Sequence, residues 1–504
     1  MALANTLSAV VLGVGARVVN VEANIGPGLP GTYIVGLGDA AVTEARDRLK
    51  TAAQNARLGW PKTKVMINLS PASLRKHGTM MDLAMCMAVL AAQDSAMDIA
   101  HVMFLGEVGL DGRITAVPGV VPAILAGARE GLGLAVVPEA NAPEAASAAP
   151  SGFTVLSARH ILDVVQWAAG QVELPAASSN GPRIRRASSI SNEPDMRDVI
   201  GQPEAKRAAE VAAAGGHHFM ILGPPGSGKS MIARRFAGIL PDLDEDARRE
   251  CQSIASVTAS DWHRIPFVAP HHSVSKAALI GGGSGRPTPG AVTKAHHGVL
   301  FLDEVSEIPA PVLDALRIPL DQGKVELIRA DGNTTFPARF QLVLAANACR
   351  CGAAESSDCQ CSARQRASYL HNLSGPLWDR IDILVHTHPK GKLHDDAGES
   401  SNTIADRVAE ARCRTQHRLA QMGIAVSSNA AVPAGRLRRE LPATPDAMAL
   451  LESYLAVGAL SQRAVDKTLR LGWSIADLAA AQQPNIDHIA QALEYCGNAK
   501  GVLV

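Results

Sequence analysis

A glycine-rich loop carries the residues whose spacing points most directly to chemistry. It follows the apolar run 219–222 and consists of Gly223, Pro224, Pro225, Gly226, Ser227, Gly228, Lys229 and Ser230. The pattern Gly-x4-Gly-Lys-Ser is typical of phosphate-binding loops, in which backbone amides and a helix N-terminus surround phosphate oxygens. We expect Lys229 to reach the β- and γ-phosphates of ATP and the Ser230 hydroxyl to ligate Mg2+. An ordinary turn between strand and helix is the alternative, and the strand-loop-helix context disfavours it.

Two further apolar runs end in polar residues suited to ATP hydrolysis. The run 298–302 is followed by Asp303, expected in the Mg2+ shell, and by Glu304, which could polarise the water that attacks the γ-phosphate. An acidic pair at a strand end is weak evidence alone, but about 70 residues after a complete phosphate loop it becomes strong. The run 340–346 ends in Asn347, whose amide could orient the same water. We therefore predict Glu304 and Asn347 to be catalytic.

Four cysteines crowd into a short stretch directly after Asn347. They are Cys349, Cys351, Cys359 and Cys361. Four thiolates on one loop suit a tetrahedral, structural Zn2+ that would pin the loop beside Asn347. The two Cys-x-Cys pairs depart from the more usual Cys-x2-Cys spacing, and cytoplasmic thiols can simply stay reduced, so free thiols are the alternative. The neighbouring His271 and His272 lack a third partner at ligand spacing, and we do not predict a metal there.

The composition sets limits on the class of protein. A chain of 504 residues is long enough for roughly three domains. Hydrophobic residues at 47% and aromatic residues at 3% fit a globular protein rather than a disordered one. Basic and acidic residues balance at 48 each, so a nucleic-acid contact needs a local basic surface. The sequence lacks a membrane-length apolar run and a signal-peptide pattern, which predicts a cytoplasmic protein without a membrane partner.

The predicted elements divide the chain into four parts. Residues 1–170 alternate strand-like and alanine-rich helical runs, which indicates an α/β or α+β domain without a phosphate loop of its own. Residues 171–195 are rich in Ser, Pro and Gly and read as a linker. Residues 196–395 hold the predicted ATPase core, and residues 396–504 show helical spacing. Within the first part, Gly13-Val14-Gly15 is expected to be a turn between two strands.

Part of the first domain resembles the Lon-protease-type fold. The resemblance rests on residues 71–83 and 105–121. A peptidase of this type needs a serine nucleophile activated by a lysine, because an isolated hydroxyl is too weakly acidic to attack an amide. In the alignment, residues 77–80 (His-Gly-Thr-Met) occupy the serine stretch, and Val121 stands where the lysine would fall. We therefore predict a non-proteolytic domain with a structural or substrate-engaging role.

Longer motifs resemble the magnesium-chelatase-like AAA+ ATPases of the ComM/YifB family, over essentially the whole chain. They are the runs 269–273, 290–304, 373–383 and 474–478. The resemblance implies an α/β fold with a Lon-like N-terminal domain, an AAA+ core and a helical lid. It also implies a ring, expected to be hexameric, that hydrolyses ATP and, in ComM proteins, drives branch migration of DNA during recombination in natural transformation. The expected partners are branched or single-stranded DNA intermediates.

Other functions fit the sequence less well. A chelatase-type motor that remodels a partner protein for metal insertion is the nearest alternative, because the sequence supports the ATPase better than it supports the substrate. An ATP-dependent protease is disfavoured by the missing serine-lysine pair. A non-catalytic scaffold is disfavoured because every expected catalytic position is filled.

The AAA+ resemblance implies further roles for particular residues. Asn347 corresponds to the sensor-1 residue. Gly201-Gln202 precedes the helix beside which the adenine pocket of these motors lies, and a helix N-terminus without a ligand is the alternative. Arg380 suits an arginine finger inserted into the ATP site of a neighbouring subunit, because arginine keeps its charge. Its alternative role is an intramolecular ion pair with Asp379 or Asp382. Arg463, at the start of a predicted helix, is the candidate sensor-2 arginine.

The same family carries two insertions in its core, and both have counterparts here. The first is about 266–290, and the second is a hairpin at 325–336 with Asp331-Gly332 as its expected turn. Basic residues in or beside them could contact DNA phosphates in a central pore. They are Lys276, Arg286, Lys294, Lys324 and Arg329. Each of them could instead be an ordinary exposed surface charge.

Overall fold

The computed structural model divides the chain into two compact units. One is Met1–Ser189 with Glu245–Trp262, and the other is Ile190–Asp244 with His263–Val504. The residues that the structure describes are 2–36, 38–94, 96–178, 194–261, 264–283, 287–329, 332–347, 349, 351, 353, 359–362, 364–365, 372–388 and 398–501.

The first unit is built on a seven-stranded sheet with helices packed against it. Its strands are β1 (Ala2–Leu12), β2 (Gly15–Gly26), β3 (Gly31–Val35), β4 (Lys64–Ser70), β5 (Met103–Phe104), β6 (Glu107–Val108), β7 (Ile114–Thr115), β8 (Leu134–Pro138) and β9 (Thr154–Ala158). Its helices are α1 (Ala40–Asn55), α2 (Asp82–Gln93), α3 (Val120–Arg129), α4 (Ala142–Ala148), α5 (Ile161–Ala168) and α8 (Glu245–Thr258). The strand order is β3-β4-β2-β1-β5-β8-β9, and β6 pairs with β7 separately.

The apolar pattern explains how this sheet is covered. Strands β1 and β2 form a hairpin in which Leu12 pairs with Gly15, and Gly13 has φ +64°, which confirms the predicted turn. Helix α2 is buried from Asp82 to Ala92 and belongs to the main core of the unit. Its one buried charge is met by Arg48, whose Nη2 lies 2.8 Å from Asp82 Oδ2. Burial nevertheless raises the pKa of Asp82 to about 7.

Helix α8 joins the first unit although it follows the phosphate loop in the sequence. Its buried residues include Cys251 and Ile254. The amide of Gly119 donates to the Ser256 carbonyl at 2.9 Å, and the amide of Val121 donates to the Ser256 hydroxyl at 3.3 Å, so the start of α3 is tied to α8. The domain boundaries predicted from the sequence are continuous along the chain, so they do not assign residues 245–262 to the first domain.

The second unit contains a five-stranded parallel sheet followed by helices. Its strands are β10 (Phe219–Leu222), β11 (Phe267–Val268), β12 (Gly281–Gly282), β13 (Thr288–Pro289), β14 (Val299–Leu302), β15 (Lys324–Arg329), β16 (Gly332–Pro337), β17 (Gln341–Ala346) and β18 (Ile383–His386). Its helices are α6 (Pro203–Gly215), α7 (Lys229–Phe236), α9 (Lys276–Ile280), α10 (Ala291–Lys294), α11 (Ala310–Asp314), α12 (Arg317–Gln322), α13 (Gly375–Trp378), α14 (Ser401–Gln421), α15 (Ala434–Glu440), α16 (Pro445–Ala456), α17 (Gln462–Leu478) and α18 (Ile486–Gly501).

The strand order β11-β14-β17-β10-β18 sets where the chemistry lies. All neighbouring pairs in this sheet are parallel. Strands β10 and β14 are buried along their whole length, as expected for continuous apolar runs covered on both faces. The predicted α/β class is confirmed. Because parallel strands end at one edge, the residues that follow β10, β14 and β17 meet there.

The C-terminal helices pack on one another and on the sheet, as the helical spacing predicts. Their core includes Leu469 and Trp473. Ser474 on α17 shares a hydrogen bond of 2.8 Å with His217 Nε2, and His217 Nδ1 lies 3.1 Å from Asp382. Burial alone would raise the pKa of Asp382, but the bond and charge of His217 hold it at about 2. Ser474 and His217 are both fully buried, so this chain of three residues joins α17 to the sheet rather than forming an open hydrolytic site.

As for membrane insertion, the described residues include no helix whose length and apolar character would let it cross a bilayer.

Candidate active site

The phosphate loop connects β10 to α7 and requires glycine at two places for different reasons. Gly228 has φ +89° and caps the N-terminus of α7, a conformation that other residues adopt only with strain. At Gly223, a Cβ atom would lie 2.1 Å from Thr387 Oγ1. The Ser227 hydroxyl donates to the Pro224 carbonyl at 2.8 Å and also contacts Thr387 Oγ1 at 2.7 Å. Thr387, which the sequence analysis missed, directly follows β18 and contacts the loop through Ser227.

Lys229 occupies the centre of the site. Its Nζ donates to the carbonyls of Gly223 and Pro224, both at 2.8 Å, and to Asn347 Oδ1 at 3.0 Å. Burial lowers the pKa of Lys229, while Asp303 and Glu304 act in the opposite direction. The structure thus brings the predicted sensor residue and both predicted carboxylates around one amino group.

Ser230 and Asp303 lie together as a pair of oxygen donors. The Ser230 hydroxyl donates to Asp303 Oδ2 at 2.6 Å, and Asp303 Oδ1 accepts the amide of Glu304 at 2.9 Å. Hydroxyl and carboxylate oxygens are ligands that Mg2+ accepts, usually with phosphate oxygens and water completing its shell. The donor set therefore fits Mg2+ bound together with a nucleotide.

Glu304 is exposed and has an unusual backbone. Its φ is +48°, in the left-handed region that non-glycine residues rarely occupy. Its Oε2 lies 3.0 Å from Nδ1 of His272. Sequence reasoning weighed His272 only as a metal ligand and missed this contact. One signal was present: His272 follows β11 by four residues, and β11 ends at the same edge of the sheet as β14.

Gly201 and Gln202 open helix α6 as expected. Gln202 has φ +57°, and its side chain exchanges two hydrogen bonds with the backbone of His388, one in each direction. This places the start of α6 beside the chain that leaves β18. The adenine pocket itself remains a prediction.

The two arginines predicted to act in ATP hydrolysis both form ion pairs with aspartates that are distant in sequence. Arg380 makes a bidentate pair with Asp321, with Nε–Oδ1 at 2.5 Å and Nη2–Oδ2 at 2.8 Å. The expected alternative partners were Asp379 and Asp382, and the observed partner is neither. Arg463 lies at the start of α17, and its Nη1 is 3.0 Å from Asp379. The contact seen for Arg463 therefore places it beside the residue that precedes Arg380.

The four clustered cysteines converge. Their sulfur atoms all lie within 4.8 Å of one another. The Sγ–Sγ distances are 3.1 Å for Cys349–Cys351, 3.6 Å for Cys351–Cys359 and 3.5 Å for Cys349–Cys359. Four sulfurs at about 2.3 Å from one zinc would be roughly 3.8 Å apart. The three observed distances are somewhat shorter than this, and a tetrahedral Zn2+ bound here would take Cys361 as its fourth ligand.

The basic residues proposed for DNA are distributed over the two insertions. Lys276 begins α9, Lys294 ends α10, and both are exposed. Lys324 and Arg329 are exposed on β15, where Lys324 forms an ion pair of 2.5 Å with Glu326. Arg286 lies outside the described residues.

The hairpin predicted for the second insertion forms. Strands β15 and β16 pair in antiparallel fashion, and Arg329 pairs with Gly332. Gly332, which was predicted to lie in the turn, is therefore the first residue of β16. Asp331, the other residue of the predicted turn, lies outside the described part of the chain.

The stretch aligned with the Lon nucleophile has different chemistry here. The Thr79 hydroxyl donates to Glu107 Oε2 at 2.6 Å, and Val121 is buried on α3. The residue types at these two positions supply neither a serine nor an amine. The absence of proteolysis stays a prediction.

Family models match the chain in three consecutive stretches. The model described as subunit ChlI of Mg-chelatase matches residues 21–141, and magnesium chelatase, subunit ChlI, matches residues 195–394. The model of the C-terminal part of the same subunit matches residues 398–496.

Several relatives match over nearly their full length. An uncharacterised protein of Mycobacterium tuberculosis is 44% identical, covering 98% of this chain and 99% of that protein. The competence protein ComM of Haemophilus influenzae is 38% identical, covering 98% and 97%. The uncharacterised protein YifB of Salmonella typhimurium is 36% identical, with the same coverage. A shorter match, 31% identical over 163 residues and 28% of each chain, is to Lon protease 2 of Bacillus subtilis.

Proposed function

We propose that this chain, which belongs to the ComM/YifB family of magnesium-chelatase-like AAA+ ATPases, is an ATP-driven ring motor acting on DNA. The observation that carries the proposal is the meeting of Lys229, Ser230, Asp303 and Asn347 at one edge of the parallel sheet. More narrowly, we propose that the motor drives branch migration of DNA during recombination in natural transformation. We propose that it does so in the cytoplasm.

The roles of the side chains follow from their positions. ATP supplies the transferable γ-phosphoryl group, and Mg2+ offsets the negative charge of the phosphates. Lys229 would exchange its carbonyl acceptors for phosphate oxygens, and Ser230 and Asp303 would hold the Mg2+. The Glu304 carboxylate would orient a water and take its proton, while the Asn347 amide would fix the position of that water.

A ring would complete each site with residues from the next copy. Arg380 pairs with Asp321, and Arg463 pairs with Asp379, the residue that precedes Arg380. Among the described residues, neither arginine has a hydrogen bond or ion pair to the phosphate loop. We therefore propose that both arginines serve the ATP site of an adjacent subunit, in a hexamer. A guanidinium that keeps its charge suits the stabilisation of a transferring phosphoryl group.

DNA is the proposed partner for the two insertions. The first insertion, residues 266–290, contains Lys276 and Arg286 and no acidic residue, and exposed Lys294 follows it. In the second insertion Lys324 and Arg329 are exposed, and Lys324 pairs with Glu326. We propose that these residues, with Arg286, bind the phosphates of branched or single-stranded DNA. The relative from Haemophilus influenzae carries the name competence protein, which supports a DNA substrate.

A second candidate function is a motor that remodels a partner protein for metal insertion. It is favoured by one observation, namely that all three matching family models describe a magnesium chelatase subunit. The nucleotide chemistry would be the same in both cases, and only the substrate would differ.

The proposal predicts ATP hydrolysis that DNA accelerates, together with movement of a synthetic four-way junction. Replacing Glu304 with Gln is expected to slow hydrolysis by at least about 100-fold and to stop junction movement, because the general base is lost. ATP binding, followed with a fluorescent nucleotide, should persist.

Glu307→Gln, which removes an exposed carboxylate three residues later, is the matched control and should hydrolyse ATP at the parent rate. Hydrolysis by the parent with neither DNA stimulation nor junction movement would contradict the DNA proposal and favour the chelatase-type motor.

We also propose that the cysteine cluster binds a structural Zn2+. Purified protein should contain about one zinc per chain by elemental analysis. Replacing Cys351 and Cys359 with Ser should remove that zinc, because two soft ligands are lost. Cys413→Ser is the control, since Cys413 is an exposed cysteine on α14, and it should retain the metal. Zinc-free parent protein, prepared without chelators, would refute the site.

A further inference from the structure

A basic stretch of the first unit lies outside both insertions of the ATPase core. Residues 48–64 contain no acidic residue and five basic ones, namely Arg48, Lys50, Arg57, Lys62 and Lys64. Arg48 is bound to buried Asp82, and the other four have no role in the proposed mechanism of ATP hydrolysis. In a chain of zero net charge, such a stretch creates a local positive field that attracts anions.

Part of this stretch lines a groove of about 530 Å3, together with α1 and the start of β3. Arg46, Lys50 and Gln54 are exposed and form one wall, because residues four apart lie on the same face of a helix. Among the described residues that line the groove, Asp47 is the only carboxylate. Arg46 binds it at 3.1 and 2.8 Å, so Lys50 and Lys62 leave the groove with a net positive charge.

Two aromatic residues line the groove and have different roles. Trp60 is 9% exposed, and its Nε1 donates to Thr32 Oγ1 at 3.3 Å, which ties residues 60–62 to β3. Tyr33 points to the opposite face of β3 from Thr32 and is 48% exposed. Lys64 Nζ lies over the Tyr33 ring, 5.6 Å from its centroid, in a cation–π contact. The groove therefore places an accessible aromatic ring beside lysine amino groups.

We propose that this groove binds single-stranded DNA as a contact of the motor separate from the two insertions. Lys50 and Lys62 bind phosphates, and an unpaired base stacks on the exposed part of the Tyr33 ring. Basic residues next to an aromatic ring are the combination with which proteins hold single strands of any sequence. An acidic peptide would satisfy the lysines but would leave exposed Tyr33 without a role. The inference rests on the proposed function, in which DNA is the substrate.

Replacing Lys50 and Lys62 together with alanine tests the phosphate contacts. Binding of a fluorescently labelled thymine oligonucleotide to the full chain is measured by anisotropy at several salt concentrations, without ATP. The double variant should bind more weakly, and the slope of log affinity against log salt should decrease by roughly 0.7 for each lost phosphate contact. Arg129→Ala, which removes an exposed arginine in the last turn of α3, is the control and should match the parent in affinity and slope.

Replacing Tyr33 tests the stacking contact. Tyr33→Leu should weaken binding of the oligonucleotide by about five-fold or more, because stacking of a base on the ring is lost, while the salt slope stays at the parent value. Tyr33→Phe keeps the ring and should bind like the parent. A duplex of the same length should bind equally well to Tyr33→Leu and to the parent, because its bases are already stacked on one another.

The outcomes separate this inference from the proposed function. Groove variants that match a DNA-binding parent in affinity and salt slope would overturn the groove and leave the motor standing. So would a parent that binds a four-way junction but not the oligonucleotide, whereas a parent that binds neither would overturn both proposals. Variants with the expected losses, in a protein that moves no junction, would uphold the groove and contradict the motor.

A labelled poly-glutamate peptide tests the other class of ligand. If the parent bound this peptide and not the oligonucleotide, and the double lysine variant lost the peptide, the groove would be a site for an acidic protein segment and the DNA inference would be wrong. We expect no binding of the peptide under conditions in which the oligonucleotide is bound.

Discussion

Replacing Lys229 with alanine is expected to lower ATP hydrolysis by at least about 100-fold, the loss that follows removal of one charge-stabilising donor from a preorganised site. The amino group is buried among three oxygen acceptors, and it is the cation placed between the phosphate loop and Asn347. Alanine removes that charge and leaves the phosphates without their main cationic protein ligand.

Phosphate release at saturating ATP measures this prediction, and a fluorescent nucleotide measures binding separately. Arg129→Ala, which removes an exposed arginine of the first unit, should retain the parent rate. A thermal unfolding curve close to that of the parent would show that the loop variant is folded. If folded Lys229→Ala hydrolysed ATP at a rate near that of the parent, the nucleotide site would have to lie elsewhere in the protein.

Replacing Asp477 with alanine is expected to destabilise the second unit by about 3 kcal/mol or more, because it breaks a buried ion pair by removing one partner. The Asp477 side chain is 2% exposed. It accepts two hydrogen bonds from Arg418, at 2.5 and 2.8 Å, and one each from Thr415 and Asn429, at 2.8 and 2.9 Å. Without the carboxylate, the Arg418 guanidinium stays largely buried against Trp473, at 4.0 Å from the ring, with its charge unpaired.

Thermal unfolding followed by circular dichroism tests this prediction, and the midpoint of the affected transition should fall by roughly 6–12 °C. Asp487→Ala, an exposed aspartate at the start of α18, is the control and should unfold like the parent. Asp477→Asn should lie between the two, since the amide keeps an acceptor but loses the charge. An Asp477→Ala protein as stable as the parent would show that the network contributes nothing to stability.

The phosphate loop, Asp303, Glu304 and Asn347 could be located from the sequence because each ends a short apolar run. Buried parallel strands are nearly continuous in their apolar residues, and their ends share one edge of the sheet. The pattern therefore predicts both the strand and the place where the following side chain will lie. These residues can therefore be located from the local pattern of apolar and polar residues alone.

The partners of Arg380 and Glu304 could not be located in the same way. Asp321 is 59 residues away from Arg380, and His272 lies on a turn after β11, inside the first insertion. Such contacts depend on how loops pack in three dimensions. The carboxylates nearest to Arg380 in the sequence, Asp379 and Asp382, are therefore not its partners. The motif 474–478 is recognisable in the sequence, but the sequence does not show what its side chains do. In the structure, Ser474 and Asp477 are both buried and belong to hydrogen-bonded networks.

Helix α8 also has a consequence for the order in which the chain folds during synthesis. The first unit lacks the partner of α3 until residues 245–258 have emerged from the ribosome, by which time β10 and the phosphate loop have already been made. The five-stranded sheet, in turn, is completed only when β18 emerges at residues 383–386. All elements of the N-terminal unit have therefore been synthesised before the last strand of the ATPase sheet, and a nascent chain stalled before residue 245 would leave the apolar surface that α8 covers exposed to solvent.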